Sequence, residues 1–166
     1  PMCGIAGLIH RGKSSNVGRE LTDMLQSLKH RGPDSTGFAL YGNPKSGEYV
    51  LRFKVAEQED MRHGFQIHHQ VIERRAEVDR RLDELGVRRI SEDAATEYAF
   101  RYLVSFDGDM KKLADYVEDV EGAEILSIGN ALELVKDLGD ASVVSDQYGL
   151  AEFGGTHAIG HTRMAT

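Results

Sequence analysis

The sequence holds one cysteine, no tryptophan and only three prolines among its 166 residues. A single thiol cannot form an internal disulfide, which excludes a small scaffold stapled by bridges. Aromatic residues amount to 7%, and without tryptophan no stacking platform for nucleobases is evident. No apolar run approaches the roughly 18 residues that a membrane span requires. The brief apolar stretch near the amino terminus is cut off by Arg11 and Lys13, unlike a secretory leader. Positive charge is scarce as well. The 20 Lys and Arg are outnumbered by 27 Asp and Glu, for a net charge of −7, and no basic cluster offers a seat for a phosphate backbone. These absences leave a cytoplasmic enzyme as the expectation, with neither nucleic acid nor membrane as partner.

What is present fits a globular chain, 40% hydrophobic and 28% charged, enough for one core or a core with an appended lobe. The lone cysteine is Cys3, followed by the apolar, glycine-punctuated run Gly4-Ile5-Ala6-Gly7-Leu8-Ile9, which reads as a short strand closely approached at its glycines. A thiol becomes a nucleophile once a base removes its proton, and the α-amino group of the same residue can be that base. This requires Cys3 to be the first residue of the mature chain, so Pro1 and Met2 would have to be a cloning remnant or a short propeptide. The competing reading is a small buried hydrophobe, the usual role of a free cysteine.

From Val17, apolar residues at 21, 24, 25 and 28 recur at helical spacing, and Gly32-Pro33 ends that helix. Thr36–Tyr41 and Tyr49–Val55 read as strands joined through a turn at 42–47, the pattern of a hairpin. Residues 66–85 form a charge-laced amphipathic helix. Phe100–Phe106 reads as a strand, Met110–Val120 as a helix, Glu124–Ile128 as a strand and Ala131–Leu138 as a helix, an order that permits parallel pairing. Ser142–Gln147 and Ala151–Gly155 read as short strands before a final one at 157–165. The expected division sets 1–54 and 142–166 apart from a small α+β lobe at 55–141.

His63, His68 and His69 are weak as metal ligands, since adjacent histidines on a helix diverge by about 100°. Asp107-Gly108-Asp109 has the acidic, glycine-bearing look of a calcium loop but lacks the remaining ligand positions. Ser127-Ile128-Gly129-Asn130 reads as a strand-to-helix corner. Arg31 and Asp34 are close enough in one tight loop to lock its shape. Arg163 offers a planar fork that matches a carboxylate.

Three strings, MCGIAG at 2–7, HRGPDSTG at 30–37 and GHTRMAT at 160–166, stand in this order. Together they resemble the class II glutamine amidotransferase domain of the N-terminal-nucleophile hydrolases, and the long segment before GHTRMAT looks like the amidotransferase subunits of glutamate-synthase-type enzymes. The resemblance implies a sandwich of antiparallel sheets and helices, here incomplete at the C-terminus and carrying the inserted lobe. It implies Cys3 as the nucleophile that takes ammonia from glutamine, and Arg163 and Thr166 as glutamine-binding residues. Arg31, Gly32 and Asp34 are implied to shape the site beside the cysteine, with Ser35 as a support and His161 structural. It implies glutamine as substrate, a synthase domain or subunit that accepts the ammonia, and no metal or cofactor.

The Asn-Gly pair that supplies the family's oxyanion hole is missing, as is the later aspartate that holds the glutamine α-amino group. None of Asn16, Asn43 and Asn130 is followed by glycine. The remainder of the amidotransferase domain is therefore expected in another segment or chain. The alternative is a noncatalytic regulatory or assembly module that keeps the fold with its nucleophile blocked.

Overall fold

The computed structural model describes residues 2–164. They form an α+β fold of two four-stranded antiparallel sheets and four α-helices, divided into two compact units. The first unit runs from the amino terminus to Pro44 and resumes at Ala131, and the second is Lys45–Asn130.

In the first unit, β1 (Gly4–Ile9), β2 (Ser35–Tyr41), β7 (Leu132–Leu138) and β8 (His157–Arg163) make a sheet in the order β1-β8-β2-β7. Helices α1 (Val17–Ser27) and α4 (Ala141–Tyr148) pack on one face. Val17, Leu21 and Leu25 of α1 are fully buried and meet Phe38, Leu40, Val135 and Ala158 of the strands. Gly160 lets α1 approach: a Cβ there would lie 2.6 Å from the Leu25 side chain. Helix α4 is capped by Asp140, whose carboxylate accepts from Val143 N at 3.1 Å, and closes on Gly149 in the left-handed region (φ 64°). Tyr148 donates its buried hydroxyl to Asp137 of β7 at 2.6 Å.

In the second unit, β3 (Glu48–Lys54), β4 (Arg88–Ala94), β5 (Ala99–Ser105) and β6 (Glu124–Gly129) pair in the order β4-β5-β3-β6. Helices α2 (Gln66–Glu84) and α3 (Met110–Glu118) complete it. Phe53, Phe100 and Tyr102 pack ring against ring with centroids 5.0–6.5 Å apart. Arg75 of α2 lies over Phe100 at 4.3 Å and donates to the Tyr102 hydroxyl at 2.8 Å, and that hydroxyl in turn donates to Asp79 at 2.8 Å. Burial pushes the Asp79 carboxyl up from its ordinary range, against the pull of the Tyr102 hydrogen bond and of Arg89.

Several expectations need correction. The unit boundaries fall at 44/45 and 130/131 rather than at 54/55 and 141/142, because β3 pairs with β5 and β6 while β7 pairs with β2. Strands β2 and β3 therefore form no hairpin. Residues 132–138 are a strand rather than a helix. Their inward positions are Glu133, Val135 and Asp137, and two buried carboxylates hide the alternation of a sheet face. Residues 142–147 belong to a helix, and 150–152 are one helical turn. All pairings of the second sheet are antiparallel. Strand β4 escaped the sequence reading because four of its seven residues are charged, as suits an exposed edge. Asp109 caps α3, accepting from Lys111 N at 2.9 Å, which gives the acidic turn a structural role. Ser127–Asn130 ends β6 on the way to another strand, so it is no helix corner.

Candidate active site

The antiparallel register of β1 with β8 pairs Gly4 with Thr162. One residue beyond that pair, on each strand, stand Cys3 and Arg163. Both are exposed. Strand β2 joins from the other side of β8, with Ser35 opposite Arg163, and Pro33 bridges to Arg163 just beyond the strand. Asp34 N donates to Arg163 O at 3.1 Å, and Gly139 N donates back to Asp34 O at 2.8 Å. The loop 31–34 is thus threaded between the end of β8 and the start of α4's approach.

Gly32 shows why a glycine is required in this loop. Its backbone is extended (φ 178°), so a left-handed turn is not the reason. A Cβ at this position would fall 2.5 Å from Arg163 N and 2.6 Å from Arg163 C. Close approach of the loop to the arginine's own backbone is what excludes a side chain. Arg31 ends the helical turn Lys29–Arg31, its N–H donating to Leu28 O at 2.9 Å, and its side chain is exposed at the same end of the sheet. Among the residues expected at the site, Cys3, Arg31, Gly32, Asp34 and Arg163 are thereby gathered around one strand end. Thr166 lies outside the described residues.

Two features of this corner were not singled out in the sequence. Thr162 is fully buried on the helix-covered face, where its Oγ1 has no hydrogen-bond partner among the described residues and would sit 2.9 Å from a Cβ on Gly4. Pro33 ties the loop to Arg163. His161 lies on the opposite, open face with its ring over Gly37: a Cβ there would be 2.6 Å from Nε2. On that face Ile5, Ile9 and Ile159 are also uncovered, at 71%, 74% and 50% exposure.

Two of the second unit's three histidines, His63, His68 and His69, are engaged otherwise. His68 pairs with Glu97, and His69 lies edge-on to Phe65 at 6.0 Å. No group of three or more His, Cys, Asp or Glu side chains gathers in metal-binding geometry among the described residues. No described helix is long and apolar enough to cross a membrane.

No protein-family model matches the chain. It is 29% identical over 170 residues, 99% of its length, to a protein of Methanothermobacter thermautotrophicus provisionally named a glutamine amidotransferase, and covers 52% of that protein. It is 31% identical over 169 residues to the glutamine amidotransferase-like protein GlxB of Rhizobium meliloti, covering 50% of it. The chain thus spans about half the length of the curated relatives it matches. Similarity that runs through nearly the whole chain to two proteins so named supports a glutamine amidotransferase domain.

Proposed function

We propose that the chain is the nucleophile-bearing part of an N-terminal-nucleophile glutamine amidotransferase. The observation that carries this reading is the placement of Cys3 beside Arg163 on paired strand ends, with the 31–34 loop wrapped around the arginine. Arg163 receives the α-carboxylate of glutamine on its guanidinium fork, assisted by Thr166, and the side-chain amide reaches toward Cys3. With Pro1 and Met2 removed, the Cys3 α-amine takes the thiol proton. The sulfur adds to the amide carbon, and the tetrahedral intermediate expels ammonia after the amine returns the proton to the leaving nitrogen. Water then cleaves the glutamyl thioester to glutamate and the free thiol.

Arg31, Gly32 and Asp34 act through Arg163, holding its backbone in register. The reaction asks for no metal or cofactor. The oxyanion-hole donors come from the polypeptide that completes the domain, and a synthase, of glutamate-synthase type, consumes the ammonia in the cytoplasm. The exposed isoleucine face of the first sheet supports a layered architecture, because a large apolar patch is a surface awaiting cover.

The test is glutamine-dependent ammonia release by the processed, full-length source protein. Cys3→Ala should abolish it while the circular-dichroism spectrum and melting temperature stay put. Undiminished release would end the assignment.

A further inference from the structure

The second unit carries a cleft of about 330 Å³ where the turn that joins α3 to β6 meets α2. Gln70, Glu73, Arg74, Glu77 and Arg81 stand three and four apart along α2 and so share one stripe of the helix, and Glu121 of the turn lines the cleft with them. The two ends of this stripe differ. Glu77 accepts from Arg81 Nε at 2.9 Å and from Arg80 Nη2 at 2.6 Å, and Arg81 Nη1 donates to Tyr116 O at 2.7 Å. Gln70, Glu73 and Glu121 make no hydrogen bond or ion pair among the described residues. Of the Asp, Glu and Arg side chains on α2, Glu73 is the one left without a polar partner.

Arg74 is held from behind. Its Nη1 donates to Val55 O at 2.8 Å, and its guanidinium rests against Gly122, where a Cβ would fall 2.5 Å from Cζ. Gly122 has φ 81°, so both the turn and the guanidinium require a glycine there. Arg74 Nε and Nη2 have no acceptor among the described residues. An arginine fixed at two points, sharing a cleft with two carboxylates and a carboxamide that do not pair with it, is organised for a ligand, whereas a solvated face pairs its charges with one another as Glu77 and Arg81 do.

We infer that this cleft binds a free α-amino acid. Its lining of three carboxylates and two guanidinium groups selects by sign. A bare anion such as phosphate meets the carboxylates, and a bare cation meets Arg74. A molecule carrying both signs a few bonds apart satisfies both: its α-carboxylate takes the Nε and Nη2 hydrogens of Arg74, and its α-ammonium donates to Glu73 and Glu121. Gln70 offers a donor and an acceptor to the ligand's side chain, so glutamine and glutamate fit better than an apolar amino acid. The volume is at the lower end for small-molecule sites, as suits so small a ligand. Occupancy ties the α3–β6 turn to α2, which makes the second unit a sensor of amino-acid supply. The inference rests on the cleft alone and not on the amidotransferase reading.

Hydrogen exchange on the full-length source protein tests it, in a Cys3→Ala background so that glutamine is not consumed. L-Glutamine or L-glutamate should slow the amides of residues 119–123 by about tenfold at saturation, while acetate and methylammonium, each carrying one of the two charges, should not. Glu73→Gln should weaken the ligand by about tenfold, and because Glu73 has no partner in the protein this loss cannot come from misfolding. Arg74→Met, which keeps the apolar stem, should remove the protection altogether. The inference is overturned if neither amino acid protects 119–123, if acetate protects them equally, or if Glu73→Gln binds as tightly as the parent. It is also overturned if Arg163→Ala abolishes the protection, since the amino acid would then be held at the Cys3 end alone. Ammonia release undiminished by Cys3→Ala would end the proposed reaction and leave this inference standing.

Discussion

The two sheets solve the same packing problem with opposite materials. Strands β1, β2 and β8 carry Gly4, Gly7, Gly37 and Gly160, and the side chains of Leu25, Leu28, Ile159, His161 and Thr162 close in on these positions. Strands β3, β4 and β5 contain no glycine. Their sheet is filled by Phe53, Phe100 and Tyr102, with Arg75 and Asp79 satisfying the buried Tyr102 hydroxyl. The glycines let neighbouring side chains pack directly over the strands, and the register of β1 with β8 brings Cys3 to Arg163. Aromatic-built sheets gain their stability from buried area. The first unit is thus made for placement and the second for cohesion.

If so, substitutions in the two units should fail in different ways. Cys3→Ala removes all glutamine hydrolysis with no loss of stability, the largest effect on function expected anywhere in the chain. Phe53→Ala, in the aromatic cluster, should cost about 3–5 kcal/mol by chemical denaturation of the second unit, with tryptic cleavage between 45 and 130 as the readout. Gly32→Ala is intermediate. The new methyl must displace the backbone of Arg163, at about 1–3 kcal/mol, and the KM for glutamine should rise more than kcat falls. Arg163→Lys should raise KM without touching stability, because a point charge replaces a fork. If Gly32→Ala lowered stability alone and left KM unchanged, the first unit would be an ordinary packed layer and the contrast would collapse.

The parts of this arrangement that could be read from residue order are those with a clean period or a fixed geometry. Helix α1 showed itself through Leu21 and Leu25, and β2 through its alternation. The motifs pointed to Cys3, Arg31, Gly32, Asp34 and Arg163, and the register places these five at one strand end. Strand β7 was not legible. Glu133 and Asp137 occupy core-facing positions, and the Tyr148 hydroxyl that makes Asp137 tolerable comes from eleven residues away. Helix α4 was hidden by Val143 and Val144, which favour strands. Its caps at Asp140 and Gly149 were the overlooked signal. The purpose of Gly32 could not be seen, since a close approach to a residue 131 positions later leaves no local trace.

The smallest expected effect concerns how the first unit is pinned at the far end of β1. Glu20 of α1 accepts from Ser15 Oγ at 2.5 Å and pairs with His10 Nε2 at 2.5 Å, tying the β1–α1 connection to the helix. The Ser15 hydrogen bond, then that from His10, holds the Glu20 carboxyl below its ordinary value of 4.5. A carboxyl whose value is depressed by folding stabilises the native state fully above its unfolded value, and that contribution is lost as pH falls through the folded one. Acid should therefore weaken this connection progressively below about pH 4.5, as it weakens the analogous support in the second unit from Glu77, held at about 2 by Arg80 and Arg81. Glu20→Gln should flatten the acid limb of stability for the first unit and leave that of the second unchanged. Because the group is solvent-exposed, added salt should shrink the difference. An acid limb identical in wild type and Glu20→Gln would show that the pin at His10 and Ser15 carries no weight in the placement of β1.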